Sequence, residues 1–153
     1  MRTAPHVLLV EDNPDDEEFT IRALRDAGLG NAIHVAHDGA QALEYLARCE
    51  LPETAPEREV MPKLVLLDLK LPKLDGMEVL RQIKANAATV SVPVVVLTSS
   101  RQDRDIKQCY ALGANSYVVK PVAFEQFAEA IQHVGRYWLR FNEPPFTEPG
   151  PLS

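Results

Sequence analysis

Five short apolar runs punctuate the chain: Val7–Val10, Ile33–Ala36, Leu64–Leu67, Val94–Leu97 and Tyr117–Val119. Several are continuous rather than alternating. A strand reads this way when other elements cover both of its faces. Between the runs lie stretches of helical length with apolar residues three or four apart. Phe19, Ala23, Leu24 and Ala27 mark Asp15–Ala27, and Ala42, Leu43 and Leu46 mark Asp38–Arg48. Val79, Leu80 and Ile83 mark Asp75–Asn86, and Ile106, Tyr110 and Leu112 mark Asp103–Leu112. Gly28, Gly39, Gly76 and Gly113 fall at segment edges, and Pro62 and Pro93 precede apolar runs, as stop signals should. Strand and helix alternate five times, which predicts an α/β fold with a parallel sheet and helices on both faces. Right-handed crossovers make it doubly wound. The expected strand order is 2-1-3-4-5, that of flavodoxin-like sheets.

Two segments break the rhythm. Cys49–Pro62 is polar and carries Pro52, Pro56 and Pro62, which is long for a helix-to-strand connection. It feeds the start of the third strand, the edge of the sheet away from the expected site, so it should not act as a lid. At the other end, Val122–Phe141 reads as one long helix, with the last helix spanning about 122–142. Phe124, Phe127, Ala128, Ile131, Val134, Gly135, Trp138 and Leu139 form a single stripe along it. At about 1.5 Å per residue such a helix should outrun a five-stranded core. Trp138 and Phe141, with Tyr137 beside them, are then left as an exposed aromatic cluster of the kind that marks an interface. A homodimer through this helix and the extension beyond it is expected. Residues 1–142 would form one domain, followed by a proline-rich tail, 143–153, and no output domain is expected.

Composition narrows the function. The 153 residues carry a formal net charge of -6, with 46% apolar and 25% charged residues. That suits one globular domain with a real core and offers no basic footprint for nucleic acid. An acidic surface is equally unsuited to an anionic membrane. The first apolar run is too short for a secretory leader or a membrane span, so a cytoplasmic protein is expected. Cys49 and Cys109 have no metal-ligand spacing and read as free thiols. His6, His34, His37 and His133 share no ligand spacing and receive no role.

The chemistry gathers where the apolar runs end. In an open α/β sheet, ligands bind at the carboxyl ends of the strands. Glu11 and Asp12 follow the first run, Asp68 the third, Thr98 to Ser100 the fourth, and Lys120 and Pro121 the fifth. With strands one and three adjacent, three carboxylates would crowd one crevice, where they cannot all remain ionised unaided. Hard oxygen donors suit Mg²⁺, which takes one or two carboxylates together with water and phosphate. Lys120 adds a second positive charge and Thr98 a hydroxyl donor. Asp68, after the most apolar run, is the candidate nucleophile, because a carboxylate can accept a phosphoryl group as an acyl phosphate. Asp12 would hold the metal directly and Glu11 through water. An acidic pair followed by Asn13-Pro14 can also be a simple turn, but acceptors and donors at four strand ends make a constellation that a turn does not explain.

These residues resemble the response-regulator receiver family. The resemblance is carried by Val10-Glu11-Asp12-Asn13, by Leu67-Asp68 with Pro72 and Asp75-Gly76 behind it, by Leu97-Thr98-Ser99, by Gly113-Ala114, and by Tyr117-Val-Val-Lys120-Pro121. It runs from about residue 6 to residue 135. It implies Asp68 as phosphoacceptor, with Lys120 and Thr98 in the catalytic set. It implies Glu11, Asp12, Asp68 and the backbone carbonyl of Lys70 as Mg²⁺ ligands. It also implies a cis peptide before Pro121 and a switch pair formed by Thr98 and Tyr117. Within the family the chain is similar to small regulators paired with bacterial phytochrome histidine kinases. Asn13-Pro14-Asp15-Asp16, Asp38-Gly39, the long loop and Tyr137-Trp138-Leu139 carry that narrower likeness. The implied partners are a cognate histidine kinase and a histidine phosphotransfer protein, with no nucleic acid and no membrane.

Competing chemistries fit less well. A haloacid-dehalogenase-type phosphohydrolase needs a second aspartate two residues after its nucleophile as general acid; Lys70 stands there. A flavodoxin-like flavin site needs a glycine- and hydroxyl-rich phosphate loop after the first strand. Glu11 to Asp16 would repel the phosphate, and no glycine-rich dinucleotide turn is present. A structural receiver that is never phosphorylated is disfavoured by the intact set of Asp12, Asp68, Thr98 and Lys120. Apart from its own phosphorylation and slow dephosphorylation, the chain is not expected to be an enzyme.

Overall fold

The computed structural model describes residues 6–30, 32–121 and 123–145. Elements alternate as the apolar pattern predicts. They are β1 (Val7–Val10), α1 (Pro14–Asp26), β2 (Ile33–Ala36), α2 (Gly39–Cys49), β3 (Leu64–Leu67), α3 (Gly76–Ala85), β4 (Val94–Thr98), α4 (Asp103–Ala111), β5 (Ser116–Val119) and α5 (Phe124–Arg136). The sheet is parallel throughout, with order β2-β1-β3-β4-β5. Its central strands β1, β3 and β4 are buried along their whole length, which is why their sequences are continuous apolar runs. Side chains alternate between two cores. Leu8, Val10, Val65, Leu67, Val94 and Val96 face α2 and α3, whereas Val7, Leu9, Leu64, Leu66, Val95 and Leu97 face α1 and α5.

Three helices start just beyond strand ends on side-chain caps. Asn13 Oδ1 accepts from the N–H groups of Asp15 and Asp16 at 2.9 and 3.1 Å, with Pro14 in the first turn. Asp38 accepts from Gln41 at 2.8 Å and Asp75 from Glu78 at 3.1 Å. Each cap satisfies donors that the helix itself cannot. Asp38 and Asp75, which looked like helix residues, are therefore the caps at which α2 and α3 begin.

The final segment differs from the single long helix expected. Regular α-helix stops at Arg136, and Tyr137–Phe141 forms one wider π-helical turn. It closes through the Asn142 N–H to the Tyr137 carbonyl at 2.7 Å. The wider turn does not project free of the body. Leu139 is buried, its carbonyl accepts from Lys63 Nζ at 3.1 Å, and Arg140 donates to the Gly28 carbonyl at 3.4 Å. Gly135 permits this close seat: a Cβ there would lie 2.8 Å from both Leu24 Cδ2 and Leu29 Cδ1. Trp138 packs partly buried against the α1–α5 core, while Tyr137 and Phe141 are 51% and 72% exposed. Of the proline-rich tail, 146–153 lie outside the described residues. The loop 50–63 is fastened to α2, where Tyr45 Oη donates to the Val60 carbonyl at 2.9 Å, and it enters the amino-terminal end of the sheet, where the Lys63 N–H donates to the His6 carbonyl at 2.8 Å. It is on the far side from the carboxylates, as expected. No helix among the described residues is long and apolar enough to cross a membrane.

Candidate functional site

The carboxyl ends of β1 and β3 lie side by side, because Val10 is in register with Leu67. The next residues along each strand therefore meet. One carboxylate oxygen from each of Glu11, Asp12 and Asp68 falls within 4.8 Å of the others. Glu11 is 1% and Asp68 8% exposed, while Asp12 faces solvent. A rigid approach of backbone holds Asp68 in place. A Cβ on Gly76 would collide with the Asp68 carbonyl and Leu69 Cα, so only glycine lets α3 begin so near. The Lys70 N–H donates to Asp68 Oδ1 at 3.2 Å, which shapes the loop after β3 around the carboxylate.

Lys120 reaches this cluster from the end of β5. Its Nζ lies 2.9 Å from Glu11 Oε1, 3.1 Å from Asp68 Oδ2 and 2.8 Å from Asp16 Oδ2. Burial alone would lower the pKa of this ammonium, but hydrogen bonds to Asp16 and Glu11 and the charge of Asp68 raise it well above the ordinary range. Glu11 moves the other way from a typical acid. Burial is the main cause, with the Asp68 charge adding to it against the Lys120 contact, and its pKa is pushed up to about 7. One ammonium is too little positive charge for this many carboxylates.

The peptide before Pro121 is trans, contrary to expectation, since no cis bond occurs among the described residues. Trans is the lower-energy form of an X–Pro bond by about 0.5–1 kcal/mol. The four-carbon stem of Lys120 spans to the carboxylates from it.

Thr98 ends β4 fully buried. Its carbonyl accepts from the Lys120 N–H at 2.8 Å, and its hydroxyl accepts from the Ser100 N–H at 3.4 Å. Tyr117, one strand over, is half-buried, and its hydroxyl donates to the Ser100 carbonyl at 2.9 Å. Ser100 Oγ in turn donates to Asp105 at 2.6 Å.

Sequence reasoning missed three features of this rim. Asp16 joins the Lys120 cluster from the first turn of α1, and no spacing in the sequence signals it, because Asp12 lies before the helix and its cap. His37, given no role, shares a 2.9 Å hydrogen bond with Glu17. Lys73 stands in the left-handed region, φ 65°, and places its ammonium 3.4 Å from the capping Asp38. The two cysteines are free and buried, and burial pushes the Cys49 thiol up to about 12 and Cys109 up to about 11. Neither is poised to react at neutral pH.

The response regulator receiver domain family matches residues 7–132, the whole span from β1 into α5. The chain belongs to this family. It is 41% identical over 139 residues to the probable methanogenesis regulatory protein FilR2 of Methanothrix harundinacea, covering 91% of this chain and 86% of that protein. It is 35% identical over 133 residues to response regulator Rcp1 of Synechocystis, covering 87% of this chain and 88% of that one. The Mn²⁺-bound structure of Rcp1 superposes with a TM-score of 0.82, at 33% identity, over 93% of this chain and 99% of Rcp1. The phosphorylated cyanobacterial phytochrome response regulator RcpA superposes with a TM-score of 0.84, also at 33% identity, over 94% of this chain and all of RcpA. The chain is thus a receiver-domain response regulator, homologous to regulators linked to phytochromes.

Proposed function

We propose that Asp68 takes a phosphoryl group from a phosphohistidine of a cognate histidine kinase, in a reaction that needs Mg²⁺. The observation that carries this is the meeting of Glu11, Asp12, Asp68 and Lys120 at one strand edge. In the transfer, an Asp68 carboxylate oxygen forms a bond to phosphorus as the bond from phosphorus to the kinase imidazole nitrogen breaks, and the electron pair stays on the imidazole. The donor set fits a hard divalent cation: three carboxylate oxygens lie close together, one of them open to solvent. Glu11, Asp12 and Asp68, with the Lys70 carbonyl, would hold it. Bound there, the ion would neutralise charge on the transferring phosphoryl group.

The chain's own residues then divide the remaining work. Lys120 supplies a fixed positive charge beside Asp68. Thr98, buried at the end of the neighbouring strand, is the hydroxyl that would donate to the phosphoryl oxygens. Tyr117 is the aromatic that would leave the Ser100 carbonyl when that loop moves, which makes Thr98 and Tyr117 the switch pair. Residues 1–142 act as the receiver unit. The kinase is a bacterial phytochrome, a reading supported by the likeness to RcpA and Rcp1. A histidine phosphotransfer protein is a further exchange partner. The protein works in the cytoplasm as a homodimer built on Tyr137, Trp138 and Phe141 at the end of the last helix.

The direct test is intact-mass measurement after incubation with acetyl phosphate and Mg²⁺. One added phosphoryl mass is expected on the wild type and none on Asp68→Asn or in EDTA. No gain on the wild type, or an equal gain on Asp68→Asn, refutes the assignment.

A further inference from the structure

Lys120 and a divalent cation want the same oxygens. Two of the three carboxylates against the ammonium, Glu11 and Asp68, are also the buried members of the trio suited to the ion. The third contact, Asp16 at 2.8 Å, is the shortest of the three and stands outside that trio. Its place is fixed by the chain: Asn13 caps α1 through the N–H groups of Asp15 and Asp16, so Asp16 stands in the first turn above the cluster. Its side chain is 30% exposed, so its charge is less costly to keep than that of Glu11.

We propose that Asp16 is a positioning residue that holds the Lys120 ammonium to one side, so that Glu11 and Asp68 are free for the divalent cation. This rests on the reading of Asp68 and its metal given above. When a doubly charged ion enters, it repels the ammonium from the shared oxygens. Asp16 keeps the displaced ammonium paired and within reach of Asp68. Without it, the anions left to Lys120 in the crevice among the described residues are those the ion requires, and the two cations exclude each other. Asp16 therefore raises metal affinity through Lys120 rather than as a ligand. Asp15, its neighbour in the same turn, carries the same charge and makes no contact with Lys120, so it is the natural control.

The probe is Mn²⁺ alone, with the free ion counted by electron paramagnetic resonance on unphosphorylated protein. Asp16→Asn should weaken binding about three- to fivefold, the scale of a partly exposed ion pair. Asp15→Asn should change it less than about twofold, since an exposed charge without contact is screened. Asp16→Glu, which keeps the charge, should restore most of the affinity. In a Lys120→Met background the step from Asp16 to Asn should shrink to that of Asp15→Asn, because no ammonium remains to be held. Equal losses for Asp16→Asn and Asp15→Asn overturn the proposal. So does an undiminished Asp16→Asn loss in the Lys120→Met background, which would mark a plain charge effect. A wild-type protein that binds no Mn²⁺ instead sinks the metal site itself, an outcome separable from either of these.

Discussion

Glu11→Gln should make the metal-free protein more stable although it damages the site. Glu11 is buried among Lys120, Asp68, Asp12 and the Asn13 N–H, with Asp16 on the far side of the shared ammonium. Its pKa is raised from 4.5 to about 7, first by burial. A carboxyl whose folded pKa exceeds its unfolded value binds more protons in the folded state than in the unfolded one. The native state is therefore favoured at low pH, and stability falls as pH rises from about 4.5 to 7. Above that window the loss is constant, at about 3 kcal/mol. Glutamine has the same shape and no charge, so at pH 7.5 in EDTA it should recover about 2–3 kcal/mol. For a chain of this size each kcal/mol is about 2–4 °C in Tm, so a rise of about 4–12 °C is expected. At pH 5 most of this loss is absent, so the gap should shrink to about 1 kcal/mol or less.

Thermal melts followed by circular dichroism at pH 5 and 7.5 in EDTA make the comparison. Saturating Mg²⁺ adds a further contrast. An ion bound only by the folded state stabilises by about 2.7 kcal/mol at a hundredfold excess over Kd. The wild type should gain this and the Gln variant little, so the gap between them should close. If Glu11→Gln is the less stable protein in EDTA at pH 7.5, or if its advantage is the same at pH 5, the carboxylate crowding inferred here is wrong.

Gly76→Ala should cost about 1–3 kcal/mol and slow phosphorylation together, because its Cβ meets the backbone of Asp68 and Leu69 rather than a side chain that can swing away; melts in EDTA and intact-mass time courses with acetyl phosphate measure the two effects, and a variant with wild-type stability removes the packing argument. For self-association, light scattering after size exclusion should give a dimer mass for the wild type and a monomer mass for Phe141→Ser. Phe141 is the better probe than Trp138, whose ring is partly spent on the core. A monomeric wild type, or an unchanged mass for Phe141→Ser, counts against the aromatic end as the interface.

The sheet was legible because its central strands are buried on both faces. Leu64–Leu67 could be bounded to the residue, since no polar position inside it competes with the pattern. Helix starts were legible to within a residue or two, and the residual error was physical: Asp38 and Asp75 have the composition of a first helical turn yet serve as caps with extended backbone. The end of the last helix was misread because the apolar stripe through Leu139 continues at helical spacing while the backbone widens. What sets the turn is a long-range pair of donors, Lys63 and Arg140, that no local pattern reveals. In the site, residue types at strand ends identified the acids and the lysine. The contact between Asp16 and Lys120 was hidden, because it depends on where the side chain just after β5 lands on α1.

How a change at Asp68 leaves the site follows from which neighbours have a second arrangement available. One route runs back along β3, whose far end abuts Lys63 and through it the Leu139 carbonyl. That strand is four residues long, buried throughout and hydrogen-bonded to β1 and β4 on its two sides. Packed interiors of this kind offer no alternative position to populate. The other route runs across β4 to β5. Thr98 is tied through its backbone to Lys120, and the loop after it is held by Ser100, whose carbonyl takes the Tyr117 hydroxyl and whose hydroxyl takes Asp105. The two Ser100 contacts are single polar contacts at a half-exposed rim, and water can replace each of them when the loop shifts. A two-state element needs contacts that can be exchanged at little cost. The β4–α4 loop with Tyr117 has them and β3 does not, so a phosphoryl group placed on Asp68 would act first on the face formed by α4 and β5, and would reach Tyr137 and Phe141 only through α5.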